Sequence, residues 1–271
     1  MEELLRELGI RGELSQGLLI VTLVVMRNIP IIFQTPFLGG KLVPMETRIG
    51  LAVGLTALVY PFARGAMTGP IETNSLVFIT LMMKELFIGF LIGFVASEIF
   101  IAMEIGGRAL DVMRGSNMAE VQVPELQLRV SPMGMFGFQL LLVIFCALNG
   151  HGHFIESVAE SFRLVPIDAW PKVTIGLKEL TGMVMEYTAS LFAIAFALVF
   201  PGLFSAFIVD IVFGMFNRVA PQLNAYFMAM GIKAMGGLAM FMFALGLLTT
   251  ELTSRLEGTL LFIRRLVLHL G

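Results

Sequence analysis

Residues 106–132 read GGRALDVMRGSNMAEVQVPELQLRVSP, a polar, turn-rich stretch carrying Arg108, Asp111, Arg114, Glu120, Glu125 and Arg129. Oily sequence flanks it on both sides, Lys84–Met103 before and Met133–Asn149 after. Loops longer than about 12–15 residues without structure of their own tend to be functional or disordered. Two readings are open: an ordinary loop outside a membrane, or a movable segment that closes something. In either case the oily–polar–oily pattern predicts membrane helices joined by polar connections.

The whole chain repeats that pattern. Of its 271 residues 57% are hydrophobic and 14% charged, with a mean hydropathy of +0.89, whereas a soluble domain averages about 45–50% apolar and about 25% charged. The excess lies in blocks close to the roughly 20 residues that cross a bilayer, which predicts an integral membrane protein. A net charge of −2 and a pI near 6.0 give no sign of nucleic-acid binding. Cys146 is the only cysteine, so no intrachain disulfide is possible. The N-terminus, MEELLRELGIRGEL, lacks a basic n-region and reads as retained, not as a signal peptide.

Working outward, about six hydrophobic blocks are expected: Leu14–Leu38, Arg48–Phe62, Leu76–Met103, Met133–Asn149, Met183–Phe216 and Ala225–Leu248. Pro30 predicts a kink or end in the first, because proline removes a backbone donor. Pro201-Gly202 predicts a break in the fifth. A short helix is expected over Phe154–Phe162. The tail, Glu251–Gly271, is amphipathic: Leu256, Leu260, Ile263, Val267 and Leu270 follow a 4-3-4-3 spacing, a helical stripe, while Arg264, Arg265 and His269 lie away from it. Docking on a partner helix and binding to anionic lipid both fit that tail. An even number of spans puts the N-terminus, the second and fourth loops and the tail on one side. That side carries nine Lys/Arg against six on the other, a lean toward cytoplasmic termini.

Ionisable residues inside the blocks are Arg27, Lys84, Glu85, Glu98, Glu186, Asp210 and Lys233. A charge at the bilayer centre costs about 2.5–3.5 kcal/mol on insertion scales. The Lys84-Glu85 pair would cost little at an interface, Glu98 has no obvious local partner, and Asp210 and Lys233 can pair across a hairpin. Two functions suit such charges: a proton or ion relay, or contacts with other protein that hold helices in register. The second is favoured and argues for an assembly. Gly89 and Gly93 have the small-xxx-small spacing that admits close backbones.

The residues of hydrolytic, phosphate-binding or zinc chemistry are not arranged for it. Asn149-Gly150-His151-Gly152-His153 is the single His cluster, and His at i and i+2 do not make a zinc helix motif; a capping or interfacial role is expected. No Gly-x-Ser-x-Gly elbow occurs. No enzyme activity, cofactor or metal is expected.

The chain resembles the FliR/SctT family. The resemblance runs through Arg27, Pro36-Phe37-Leu38-Gly39, Pro44, Arg48-Ile49-Gly50-Leu51 and Tyr60-Pro61, then Lys84-Glu85-Leu86-Phe87-Ile88-Gly89 with Gly93-Phe94. It continues with Gly106-Gly107, Asp111, Arg114-Gly115, Ser131-Pro132, Gly150-His151 and Ser161-Phe162 with Pro166. Asn217-Arg218-Val219-Ala220-Pro221-Gln222-Leu223-Asn224 followed by Ile232-Lys233 is the most telling stretch. One departure is Asn149, where the family more usually shows Gly.

The resemblance implies a single export-gate domain over residues 1–271, all-α and polytopic, in the bacterial inner membrane. It implies assembly with FliP/SctR-like and FliQ/SctS-like subunits, FlhB/SctU-like and FlhA/SctV-like proteins, and unfolded proteins as cargo. Residues 106–132 then correspond to a plug, with Gly106, Gly107, Arg108, Asp111, Met113, Arg114, Gly115 and Pro124 as its working residues. Asp111 and Arg114 are spaced to pair on one helical turn. Assembly contacts are assigned to Lys84, Glu85, Gly89, Gly93, Glu98, Asp210, Arg218, Pro221, Gln222, Asn224 and Lys233. The wording at Arg114-Gly115-Ser116 and Ser131-Pro132-Met133-Gly134 leans toward the virulence branch. A small-molecule or ion transporter using Glu98 and Asp210 is the alternative.

Overall fold

The computed structural model describes residues 10–40, 43–71, 74–115, 121–123, 128–171, 176–220, 222 and 225–270. In chain order they form α1 (Ile10–Gln34), α2 (Pro36–Gly39), α3 (Met45–Ala66), α4 (Ser75–Met113), β1 (Val121–Val123), β2 (Leu128–Val130), α5 (Pro132–Ala147), α6 (Gly150–Leu164), α7 (Gly176–Val219) and α8 (Ala225–Leu270). The chain is all-α apart from the small ribbon of β1 and β2. Four described helices are long and apolar enough to cross a membrane: Ser15–Gln34 of α1, α3, α4, and Lys178–Val219 of α7. The pair α5 and α6 makes a fifth if it is one broken span. The chain is a multi-pass membrane protein. The sixth expected block survives as an apolar stretch, Met228–Phe243, inside α8.

Three expected boundaries move. Pro30 does not end α1, which continues to Gln34. Pro201 does not break α7, which runs from Gly176 to Val219. One lost backbone bond is a small part of a helix this long, and apolar helices tolerate proline where neighbours re-satisfy the freed groups. The tail is not separate either, since α8 is one helix of 46 residues. Arg255 and Glu251 pair at 2.8 Å across the expected join, the i,i+4 spacing that supports a continuous helix.

The residues separate into two compact units. The first holds 1–97, 149–184 and 258–271, and the second holds 98–148 and 185–257. In the first, α1 packs against α3, and α3 against α6. Leu23, Ile31, Val59, Ile88, Phe154 and Phe162 form part of its core. Gly89 and Gly93 act as their spacing predicts. A Cβ at Gly89 would stand 2.1 Å from the Arg27 carbonyl oxygen, and one at Gly93 would stand 3.0 Å from that of Pro30. Of the tail stripe, Ile263, Val267 and Leu270 are buried and Leu260 is half-buried in this unit, with Arg264 and Arg265 exposed, while Leu256, also buried, belongs to the second unit.

In the second unit Leu110, Val199 and Phe241 form a buried cluster joined by Met133, Leu198 and Leu203. Phe100 meets Phe138 and Phe145 with ring centroids 5.9 and 5.8 Å apart. Asn149, at the break between α5 and α6, has φ 55 and ψ 31. This left-handed conformation suits glycine, and asparagine tolerates it better than most residues. The departure from the family's usual Gly is thus conformationally conservative.

Candidate functional site

The helix α4 runs seven residues beyond Gly106, so Gly106, Gly107, Arg108, Asp111 and Met113 are helical and not part of a loop. The glycines there serve contact and not flexibility. A Cβ at Gly107 would lie 2.5 Å from the Met133 carbonyl oxygen and 2.6 Å from the Gly134 Cα, and one at Gly134 would lie 2.8 Å from the Glu104 carbonyl oxygen. The two backbones therefore touch where α4 crosses the first turn of α5. The true turn begins at Arg114 and Gly115, and Gly115 has φ 74. Glycine alone adopts that conformation freely.

Asp111 closes the segment at its base. Its buried carboxylate accepts the Ser131 hydroxyl at 2.5 Å and the Met133 N–H at 2.9 Å. Ser131 is the N-cap of α5 and accepts the Gly134 N–H at 3.0 Å, with Pro132 at the first helical position. An anion beside unpaired N–H groups at a helix N-terminus is stabilised by both the bonds and the helix dipole. Arg114 stands 3.5 Å from Asp111, as the spacing predicts. Its Nη2 donates to the Ala234 carbonyl at 2.8 Å. Its stem lies over Gly237 of α8, where a Cβ would come within 2.7 Å of the Arg114 Cδ. The Arg114 Nε is buried without a partner among the described residues.

Between these roots β1 and β2 pair antiparallel, Val121 with Val130, Gln122 with Arg129 and Val123 with Leu128. Pro124 lies outside the described residues, as do Pro221 and Asn224. Arg108 is exposed and stands 3.7 Å from Glu104, and Met113 is exposed.

A second polar centre lies in the first unit and was only half legible. Lys84 and Glu85 are buried, not interfacial, and Arg27 of α1 joins them, a contact that no local spacing announces. Arg27 grips Glu85 with two bonds of 2.5 and 3.0 Å. It also donates to the Ser161 carbonyl and hydroxyl at 2.8 and 3.1 Å and to the Val165 carbonyl at 2.8 Å. Its guanidinium carbon sits 4.0 Å from the Phe162 ring centre. Arg27 therefore caps the C-terminal turn of α6, the end at which a cation is favoured. Lys84 is 2.7 Å from Glu85 and donates to the carbonyls of Pro166, Ile167 and Ala169 at 2.9, 3.0 and 2.9 Å.

Asp168, on that same turn, reaches the connection after α3. It accepts the Thr68 N–H and hydroxyl at 2.7 and 2.6 Å and the Gly69 N–H at 2.9 Å. Partial burial pushes its carboxyl pKa up, but these donors outweigh burial and hold it below the ordinary value.

The remaining candidates separate into bonded and open residues. Glu98 accepts the Thr188 hydroxyl at 2.5 Å, the partner the sequence did not reveal, while its second oxygen has none among the described residues. Lys233 and Asp210 form the expected ion pair across the hairpin of α7 and α8. Arg218 and Gln222 are exposed at its tip. Lys84, Glu85, Gly89, Gly93 and Glu98 thus make contacts within this chain.

The family model described as bacterial export proteins, family 1, matches residues 18–259. The chain belongs to that family. It is 26% identical over 213 residues to the flagellar biosynthetic protein FliR of Bacillus subtilis, covering 78% of this chain and 80% of that one. It is 25% identical over 247 residues to FliR of Aquifex aeolicus, covering 90% and 92%. It is 29% identical over 204 residues to the Yop proteins translocation protein T of Yersinia pestis, covering 75% of each. Flagellar and virulence relatives thus match at similar levels. The chain is a FliR/SctT-family component with a role in protein export, and family members of this kind work among other export components.

Proposed function

We propose that this chain is a gate subunit of a type III secretion export apparatus in the bacterial inner membrane. It moves unfolded protein and makes or breaks no bond itself. FliP/SctR-like and FliQ/SctS-like subunits would complete the conduit, with FlhB/SctU-like and FlhA/SctV-like proteins at its base. The observation that carries this reading is the Asp111 clasp. One buried carboxylate holds the entry to α5, and with Arg114 it fixes the start of the polar segment as well. The antiparallel pair of β1 and β2 stands between those fixed roots, where this reading places the stopper. Energy would come from elsewhere in the apparatus.

The test is deletion of residues 116–127 in the assembled complex. Cells should leak small ions while the complex still forms; unchanged permeability removes the plug role. A cysteine replacing Gln122 should crosslink to a stalled secretion substrate, and a pure scaffold predicts none. The transporter alternative is less favoured because Thr188 and Lys233 already engage Glu98 and Asp210. It predicts that E98Q or D210N abolishes transport with assembly intact.

A further inference from the structure

In the first unit the ends of three candidate spans are drawn together by hydrogen bonds. Gln16, one residue into the Ser15–Gln34 span, exchanges two bonds of 3.0 Å with the backbone of Ile71. Ile71 lies between the end of α3 at Ala66 and the start of α4 at Ser75. Asp168 ties Thr68 and Gly69 of that same connection to the turn after α6. Span ends gathered in this way set a non-helical connection at one level, and non-helical backbone does not lie exposed among lipid tails, so that level is where hydrocarbon gives way to water.

The residues presented at that end have the chemistry of a headgroup layer. Trp170 is 58% exposed on a turn that Lys84 and Asp168 hold in place. It is the only tryptophan in the chain. Tryptophan has an apolar body and one N–H, and it collects at membrane–water boundaries for that reason. Arg163 is exposed and lies 5.1 Å over the ring of Phe62, itself 38% exposed. An arginine stem laid along apolar surface with its head free is a snorkelling arrangement. Arg64, in the last turn of α3, is also exposed. Among the described residues neither arginine has a carboxylate within ion-pair distance. Glu160 and Asp168, close to Arg163 in sequence, are engaged elsewhere, Glu160 by Arg264 at 3.1 Å and Asp168 by Thr68. Exposed guanidinium groups of this kind match phosphate, which arginine can bind through two parallel bonds.

We infer that the exposed residues at this end of the first unit, Phe62 with Arg163, Arg64 and Trp170, seat the chain against anionic phospholipid headgroups and so fix the depth of the first unit in the bilayer. Covering by a partner protein, or immersion in water, are the outcomes that would exclude it.

Trp170 is its own reporter. The full-length chain is reconstituted in phosphatidylcholine vesicles with and without phosphatidylglycerol, using lipids brominated high or low on the acyl chain and iodide as the aqueous quencher. W170F supplies the blank. Trp170 emission should be quenched more by shallow than by deep bromines. It should be quenched about twofold or more strongly when the bromines are carried by phosphatidylglycerol instead of phosphatidylcholine, given the attraction of basic residues to anionic leaflets. That headgroup preference should vanish in R64Q/R163Q and persist in R64K/R163K, which keeps the charge if loss of arginine packing harms folding. Dominant quenching by iodide means an aqueous rim, and immunity to both quenchers means a protein-covered one. Either result, or equal quenching by the two headgroups, overturns the inference.

Discussion

The two polar centres of this chain are built to different standards. At the Arg27–Glu85–Lys84 junction every charged group has close partners, and both arginine and glutamate are fully buried. At the Asp111–Arg114 clasp the ion pair is long, 3.5 Å, and the Arg114 Nε is buried without a bond among the described residues. A buried polar network that is complete is rigid, and one that is incomplete lies closer to its alternatives. The first centre fixes α1, α4 and α6 together. The second fixes the roots of the loop while leaving its arginine arm only partly held.

The largest effect that would sharpen this contrast is E85Q. It leaves Arg27 and Lys84 as two buried cations without their anion, and breaking such a pair costs about 3–5 kcal/mol. R27M should cost less, because Lys84 and Glu85 remain as a neutral pair. Thermal unfolding in detergent would rank them, and equal losses would mean that charge balance is not what holds the junction. G107A comes next, at up to about 3 kcal/mol, because the added Cβ collides with backbone that no rotamer change can move. D111N should cost about 2 kcal/mol by weakening bonds to a charged acceptor. It should also raise amide exchange in 114–131 while leaving the first unit protected. If exchange rises everywhere, the clasp is not local.

D168N is the smallest, about 1 kcal/mol, for a half-buried carboxylate whose donors lie on a partly exposed connection. Because its pKa is depressed in the folded state, the stability Asp168 supplies is present above the ordinary carboxyl value and is lost as pH falls through the folded one. Wild type and D168N should therefore differ at neutral pH and converge in acid.

What was legible in the sequence was what spacing encodes. Asp111 with Arg114, Asp210 with Lys233, the glycines at 89 and 93 and the buried stripe of the tail all follow from helical periodicity. The partners of Arg27 lie 58 to 138 residues away, and two of them are backbone carbonyls, which carry no residue identity to read. Gly106-Gly107 resembled a loop because glycine disfavours helices; the touching backbone that demands it comes from another part of the chain. The ribbon was missed because three-residue strands are too short to show alternation.

On the plug reading proposed above, the two anchored roots of the loop set how quickly a leak would end. A hoop free at one end must search for its seat again after each displacement, whereas a hoop nailed at both feet has only to relax. Closing a chain of about ten residues takes roughly 10–100 ns. On that plug reading, the barrier to ions behind a departing polypeptide is restored by local chain motion alone, with no fuel and no signal.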